Sequence, residues 1–422
     1  MSSVVIGAGI IDLSTAYYLS DHQPPSSVHV VECSPELFSS ASGFAGGFLA
    51  KDWFAPQLLS LGALSFELHK KLALAYGGRE KWCYSSTTSV GYSPSRKDSG
   101  QQRGEDWLRH GTSRAQAAPL EEDDTDKSEA ADLAPSWLRR LPGDHIELIS
   151  DEGTTAQLDP LLLCQFLLRE CQKRGVRLHH PATVTSASAD FRGELASARI
   201  VDLSSGTETD LPCTRVIIAA GAWSRRVFAG LFRHSHLDIP VTSLAGHSII
   251  IKSPRWKGQA HDGCHAVYST NGAGFSPEMF ARAGGNIYLA GLNSAVLPLP
   301  EANSGKAMVV REMMERVRET SRMLLGQSDG DDKEADDLEV VREGLCFRPV
   351  TPWGLPIVSR VIDEDLGPGM ATRSGADGGV YLASGHGPWG IALSLGTGLV
   401  LAEIAQGRPL SADVSGLGLK MK

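Results

Sequence analysis

The chain has 422 residues, of which 42% are hydrophobic and 21% charged, and its formal charge at pH 7 is −9. This length predicts two domains, and the negative charge argues against nucleic acid or an anionic membrane surface as the main partner. No apolar run is long enough to span a bilayer, and no charged and apolar leader precedes the first strand, so we expect a cytoplasmic protein. Seven scattered cysteines without a C-x-x-C pair predict neither a zinc site nor a disulfide framework.

The first stretch predicts a strand, a Gly-Ala-Gly turn and a helix, as in a dinucleotide-binding βαβ unit. Gly7 permits the tight turn, and Gly9 lets the backbone approach a pyrophosphate at the N-terminus of the helix that begins at Ile10. A second buried strand, 28–31, leads into Glu32, whose carboxylate can accept hydrogen bonds from both ribose hydroxyls. A carboxylate there repels a 2′-phosphate, so the pattern favours FAD or NAD over NADP.

One residue departs from this pattern. Asp12 stands where the third glycine normally allows close packing of helix and strand. Its carboxyl group must face a phosphate, turn toward solvent or cap an early amide. An ordinary strand-to-helix turn is the alternative interpretation, but the position of Glu32 favours a nucleotide site.

A small, glycine-rich stretch follows at 39–50 and includes Ser42 and Gly43. It predicts an ordered loop that approaches a flat or anionic ligand, with a flexible connector as the alternative. Leucines at helical spacing predict an amphipathic helix over 57–76, ended by two glycines. The polar stretch of about 96–143 predicts a mobile surface insertion, with an acidic docking patch as the alternative.

Regular elements are predicted again after residue 143. They are a strand at 146–149, a helix from 159 to 175, strands at 176–179 and 182–187, and a hairpin around 204–206. A buried strand at 215–220 then stops at Gly221 and leads into a helix, and such a strand end can lie against a nucleotide.

The last third of the sequence predicts a different arrangement of secondary structure. Short strands over 247–292 predict an antiparallel sheet, followed by a surface helix at 306–325 and an acidic loop at 329–337. Three prolines interrupt the strand at 345–358. A buried strand from 380, a glycine-rich turn and a helix to about 406 form a second candidate anion site.

Five segments, taken in order, resemble the D-amino-acid-oxidase superfamily, which includes glycine oxidase and monomeric sarcosine oxidase. They are Gly7–Ile11 with Glu32, Ala41–Gly43, Ala219–Trp223, Arg348 and Pro349 with Thr351, and Gly385–Gly387 with Gly390. The resemblance implies an α/β Rossmann-like FAD-binding domain built from residues 1–50, 150–240 and 345–422. It also implies an α+β substrate domain on a large antiparallel sheet, formed by 51–149 and 241–344.

The resemblance implies FAD-dependent oxidation of a C–N bond in a small amine or amino acid. The substrate passes a hydride to flavin N5 and leaves as an imine, and oxygen reoxidises the flavin to give hydrogen peroxide. The amine must be bound neutral, with its Cα–H close to N5. No metal is expected.

Three other functions stay open or are disfavoured. A flavin dehydrogenase would pass electrons to another acceptor. A catalytically decayed FAD-binding trafficking or interaction module is favoured by Asp12 and by Trp353, which stands where the family usually has an acid. A nicotinamide dehydrogenase needs a second fingerprint, and the sequence contains none.

Family positions imply roles for individual side chains, each beside a plainer alternative. Arg348 would clamp a substrate carboxylate, or else form a structural ion pair. Cys346 would be joined to the flavin 8α-methyl carbon, or else be a buried thiol. His386 would lie at the flavin, or else only pack, and Lys51 would assist oxygen activation, or else be a surface lysine.

The remaining implied contacts involve the cofactor and the substrate sheet. His247 and His265 could each face the substrate or point away from it, because side chains alternate along a strand. The predicted cofactor-binding residues are Gly7, Gly9, Ile10, Glu32, Ser42, Gly43, Val184, Ala220, Gly221, Trp223, Cys346, Gly385, Gly387, Gly390 and Ile391.

Overall fold

The computed structural model describes residues 2–93, 134–140, 143–258, 263–269, 275–326 and 337–419. Most of the predicted insertion at 96–143 and of the acidic loop at 329–337 lies outside these ranges. The described end of the insertion differs from the prediction, because Trp137 and Leu138 are buried. Both side chains join the core beneath the larger sheet, so this end is packed.

The described residues form eighteen strands and eight α-helices. The strands are β1 (Ser3–Ile6), β2 (Val28–Val31), β3 (Phe48–Ala50), β4 (Ser85–Ser93), β5 (His145–Ser150), β6 (Thr155–Gln157), β7 (Arg177–His179), β8 (Ala182–Ala189), β9 (Leu195–Asp202), β10 (Glu208–Pro212), β11 (Arg215–Ile218), β12 (Thr242–Lys252), β13 (Cys264–Ser269), β14 (Glu278–Ala281), β15 (Asn286–Ser294), β16 (Glu339–Val350), β17 (Ile357–Val361) and β18 (Gly379–Ser384). The helices are α1 (Ile10–Leu19), α2 (Ala41–Phe44), α3 (Leu59–Tyr76), α4 (Gly78–Trp82), α5 (Pro160–Arg174), α6 (Ser224–Leu231), α7 (Arg311–Leu325) and α8 (Ser394–Gln406).

The first sheet has six strands in the order β17-β18-β11-β1-β2-β7. All pairs are parallel except β17 with β18. Its central strands are short apolar runs buried along their whole length, as expected for strands covered on both faces. Helices α5 and α8 pack against α1 on one face, and the three-stranded sheet β10-β9-β8 adjoins the other.

The second sheet has nine strands, with the path β16-β12-β15-β14-β13-β4-β6-β3 and β5 paired to β4. Its pairs are antiparallel except β13 with β4. Alternation along β12 separates its two faces: Ile249 and Ile251 pack with α7, whereas Ile250 faces the first sheet's helices. The α/β fold with a large, mainly antiparallel sheet, inferred from the sequence, is confirmed.

The domain division stays a prediction. Sheet membership differs from it at three strands, since β3, β6 and β16 lie in the larger sheet although their residues fall wholly or partly within the predicted FAD-binding segments. Within the described ranges, no helix combines the length and apolar character needed to cross a membrane.

A buried ion pair ties the larger sheet to the loop that precedes β3. Arg282, at the end of β14, has a side chain only 1% exposed and donates to Asp159 Oδ2 at 2.6 Å. Its other terminal nitrogen donates to the carbonyls of Ala45 and Gly46. Asp159 also caps α5 by accepting from the Leu162 amide, so one guanidinium joins three segments.

We expect Arg282→Met to lower the free energy of unfolding by about 3 kcal/mol, because it leaves Asp159 Oδ2 without its ion-pair partner and removes the donor to the Ala45 carbonyl. Urea denaturation measures this change. The matched control is Arg199→Met, which removes an ion pair with Asp210 whose side chains are 45% and 51% exposed. Equal losses in the two variants would contradict the role given to Arg282.

Candidate functional site

A large cleft lies between the two sheets. It opens where the carboxyl ends of β1, β2, β11 and β18 meet strand β16 of the larger sheet, and its empty volume, counting the open mouth, is about 1540 Å³. The carboxyl edge of an open parallel sheet is also where nucleotides bind.

The turn between β1 and α1 forms one wall of the cleft. Gly7 has φ +115°, and its amide donates to Val31 O. Glu32 receives the Ala8 amide on Oε2 and the Ser34 amide on Oε1, both at 2.8 Å. The Ile10 amide donates to Ser42 Oγ at 2.9 Å, which brings the glycine-rich stretch to the start of the helix.

Asp12 caps the start of its own helix, which is one of the three outcomes anticipated for it. Its Oδ2 accepts from the Gly9 amide at 2.9 Å, and the residue is 2% exposed. Burial, and then the charge of Glu32, raise the pKa of this carboxyl well above its usual value. A Cβ atom on Gly7 would lie 2.7 Å from Asp12 Oδ1, so only glycine fits beside it.

Strand β16 carries the substrate-side residues. Cys346 and Arg348 lie on the same face and both line the cleft. Arg348 Nη1 donates to Asn293 Oδ1 on β15. On the neighbouring strand, a Cβ atom on Gly246 would lie 2.9 Å from the guanidinium carbon, so a side chain there would displace the Arg348 guanidinium.

Sequence analysis missed Gly246, Asn293 and Tyr288. Tyr288 lines the cleft from β15, and its ring stacks on Phe280 at 5.8 Å between centroids. A lone glycine inside a strand is a known signal of close approach by another group, and Gly246 carried it. The other two depend on a strand register that the sequence does not reveal.

His386 and the turn after β18 form the opposite wall. His386 is 4% exposed, its Nε2 lies 3.2 Å from Thr397 Oγ1, and burial lowers its pKa to about 4. The ring is therefore neutral at pH 7. A 3₁₀ turn at Gly387–Trp389 follows, and α8 begins only at Ser394. The helix does not start directly after His386, so the second predicted helix N-terminus is displaced.

Helix α3 supports this turn from the outside. Ser65 Oγ donates to Ala392 O at 2.6 Å, and His69 Nε2 lies 3.0 Å from Ile391 O. Burial lowers the pKa of His69 to about 4. Because the ring is neutral and faces a carbonyl, its Nε2 carries the proton and donates.

The structure brings most of the predicted site residues together. Those that line the cleft are Gly7, Gly9, Ile10, Glu32, Ser42, Val184, Ala220, Gly221, Trp223, Cys346, Arg348, His386, Gly387, Gly390 and Ile391. Gly43 and Gly385 do not line it. Gly43 lies too close to Phe38, and Gly385 too close to Thr351, for either to carry a side chain.

Three predicted residues lie elsewhere. Lys51 pairs with Glu67 at 3.6 Å, and both side chains are more than 40% exposed. His247 points to the α7 side of the sheet, opposite to Gly246, and its Nε2 accepts from the Val310 amide. His265 Nδ1 lies 3.1 Å from Gly263 O, and the ring does not line the cleft.

A segment between β15 and α7 crosses the cleft. This cavity strap, residues 297–306, lines it with Ala302 and Gly305. Trp223 Nε1 donates to Pro300 O at 2.8 Å, and Arg226 pairs with Glu301 at 3.2 Å. The strap therefore joins the larger sheet to the segment after β11.

The residues of the cleft fit FAD. A Cβ atom on Gly9 would lie 3.0 Å from Ser42 Oγ, so the second glycine of the turn is closely packed where a backbone must approach a pyrophosphate. Glu32 lies at the end of β2, the position that serves a ribose. The wall formed by the β1–α1 corner and β2 is therefore called the nucleotide side, and Arg348 and Cys346 line the opposite wall.

Comparisons with known proteins agree with this interpretation. Residues 3–404 match the family described as FAD dependent oxidoreductase (DAO). Two similar proteins are each named a putative oxidoreductase. The Schizosaccharomyces pombe protein is 25% identical, over 97% of this chain and 96% of its own length. The Saccharomyces cerevisiae protein is 24% identical, over 99% of this chain and 94% of its own length. Glycine oxidase from Geobacillus kaustophilus superposes with a TM-score of 0.70 at 18% identity, covering 100% of this chain and 98% of that one. The chain therefore belongs to the DAO family of FAD dependent oxidoreductases, and FAD is its cofactor.

Proposed function

We propose that the protein oxidises the C–N bond of a small amino acid or related amine to an imine, with oxygen as final electron acceptor and hydrogen peroxide as second product. The observation that carries the proposal is the Arg348 guanidinium in the wall of the cleft. Bound FAD would supply the acceptor for the hydride, which carries both electrons of the oxidation.

Arg348 binds the substrate carboxylate. A guanidinium can hold a carboxylate through two parallel hydrogen bonds, which fixes the orientation of the carbon next to it. Asn293 Oδ1 accepts from one terminal nitrogen and so limits the rotation of the fork. Gly246 leaves the room that this orientation needs.

The charges of the cleft favour a neutral substrate amine. Among the described lining residues, the carboxylates are Asp12, Glu32 and Glu36, and all belong to the nucleotide side. An ammonium group near Arg348 would meet a cation and no nearby carboxylate, which disfavours its charged form. The neutral amine is the form whose lone pair can stabilise the developing iminium.

Two further predictions have unequal support. Lys51 does not enter the proposal, because its ammonium group pairs with Glu67 outside the cleft. A cytoplasmic setting is supported by the seven cysteines, all within the described ranges and all free thiols.

The test is to expose the purified yellow protein to amino acids and simple amines, first without oxygen and then in air. We expect an amino acid with a free carboxylate to bleach the flavin absorption, and air to restore it with peroxide formation. Bleaching without peroxide in air would indicate a dehydrogenase, an activity for which a 26%-identical relative, the D-amino acid dehydrogenase of Neisseria meningitidis, is named. A flavin that no amine bleaches would indicate a binding module.

Arg348→Met should raise KM at least about a hundredfold for an amino acid substrate, since a bidentate charged contact contributes about 3 kcal/mol. The decarboxylated analogue should react equally slowly with both proteins. Steady-state peroxide formation measures both values. The control Arg318→Met removes an arginine from α7, on the opposite face of the sheet. An unchanged KM in Arg348→Met would remove Arg348 from the substrate site.

Cys346 is proposed as the flavin tether. Its thiol lines the cleft and is 3% exposed, and burial raises its pKa while Arg348 and Arg342 act in the opposite direction. After acid precipitation, we expect yellow colour in the pellet of the wild-type protein and in the supernatant of Cys346→Ser. The control is Cys33→Ser, which changes a second thiol in the cleft wall. Free FAD from the wild-type protein would exclude the tether.

A further inference from the structure

The β1–α1 corner satisfies its amides with its own side chains. Three consecutive amides donate to side-chain oxygens: Ala8 to Glu32 Oε2 at 2.8 Å, Gly9 to Asp12 Oδ2 at 2.9 Å, and Ile10 to Ser42 Oγ at 2.9 Å. These are the amides that a helix N-terminus normally offers to an anion. Two of the three acceptors are carboxyl groups, in a place where a diphosphate is to bind.

Among these acceptors, the arrangement matters most for the buried carboxyl group of Asp12. It is 2% exposed and lines the cleft, and its Oδ1 is buried without a hydrogen-bond partner among the described residues. A buried carboxylate oxygen without a donor is costly when it carries charge, so this position favours the neutral form of the carboxyl group. FAD brings an anionic diphosphate to this corner.

The surroundings of Asp12 act on its charge in both directions. Burial, and then the like charge of Glu32 at the end of β2, raise its pKa, whereas hydrogen bonds from the backbone amides of Asp12 and Gly9 lower it. Cys164 on α5 is a buried thiol with a raised pKa and adds no charge. Helix α8 meets α1 through Gly398, which has no titratable group. An ionised Asp12 would place two carboxylates against the diphosphate with only backbone donors between them.

We propose that Asp12 is a neutral carboxylic acid when FAD is bound, accepting from the Gly9 amide through Oδ2 without placing a second negative charge beside the anionic diphosphate. It replaces the third glycine of the fingerprint with a group whose charge depends on pH. FAD affinity is then linked to one proton on Asp12.

The direction of this linkage follows from the added negative charge. Bound FAD raises the pKa of Asp12 above its value in the FAD-free protein, so the complex holds more protons between the two pKa values. Affinity is complete below the lower pKa and falls as pH rises, by up to tenfold per pH unit.

The experiment measures FAD release from the full-length holoprotein. All variants carry Cys346→Ala, so that exchange is reversible whether or not the wild-type flavin is tethered. Samples are diluted at pH values from about 5.5 to 9, and flavin fluorescence is followed to its plateau to give Kd. We expect Kd to rise at least tenfold across this range when Asp12 is present.

Three variants test whether the proton on Asp12 causes the pH dependence of FAD affinity. Asp12→Asn keeps an acceptor and a donor but cannot ionise, so its Kd should not change with pH. Asp12→Gly should also lose the pH dependence, because it has no group at this position that can ionise. Asp21→Asn removes the same charge just beyond the other end of α1 and should behave as its parent.

Two results would overturn the proposal. One is the same pH dependence with Asp12 and with Asn at this position, and the other is an affinity that rises with pH. No substrate is added, so these outcomes do not depend on the proposed oxidase activity.

Discussion

The two sheets are joined at the site by one backbone bridge, between Val350 at the end of β16 and His386 after β18. The bridge is antiparallel, and it fixes the last residue of a strand in the larger sheet against the turn that closes the nucleotide side. Side chains at every second position of a strand share one face. Fixing Val350 therefore places Arg348 and Cys346 on the face that lines the cleft. Thr351, packed beneath Gly385, strengthens the same junction.

This junction separates the charges of the cleft into two regions. The carboxyl groups lie around the β1–α1 corner and β2, whereas Arg348 lies on the opposite wall. Burial keeps His386 and His69 neutral, so neither ring weakens the contrast. A molecule with an anionic end and an uncharged amine is therefore attracted to the wall beside β16, where Arg348 supplies the positive charge.

Local patterns predicted much of this arrangement. The Gly-Ala-Gly turn, Glu32 and the apolar runs of β1, β11 and β18 depend on neighbouring residues, so sequence alone was sufficient to place them. The faces of His247 and Gly246 depend on the pairing of β12 with β15 and β16, which joins residues far apart in the chain. The start of α8 at Ser394 and the burial of Trp137 likewise depend on tertiary packing, which the periodicity of apolar residues in the sequence does not indicate.

The cavity strap is coupled to the cleft wall through one side chain. Its leucines pack with Trp223 and Phe347, and its backbone is held by the indole of Trp223. Because Trp223 also lines the cleft, a change at this indole would alter the cleft wall and the strap together.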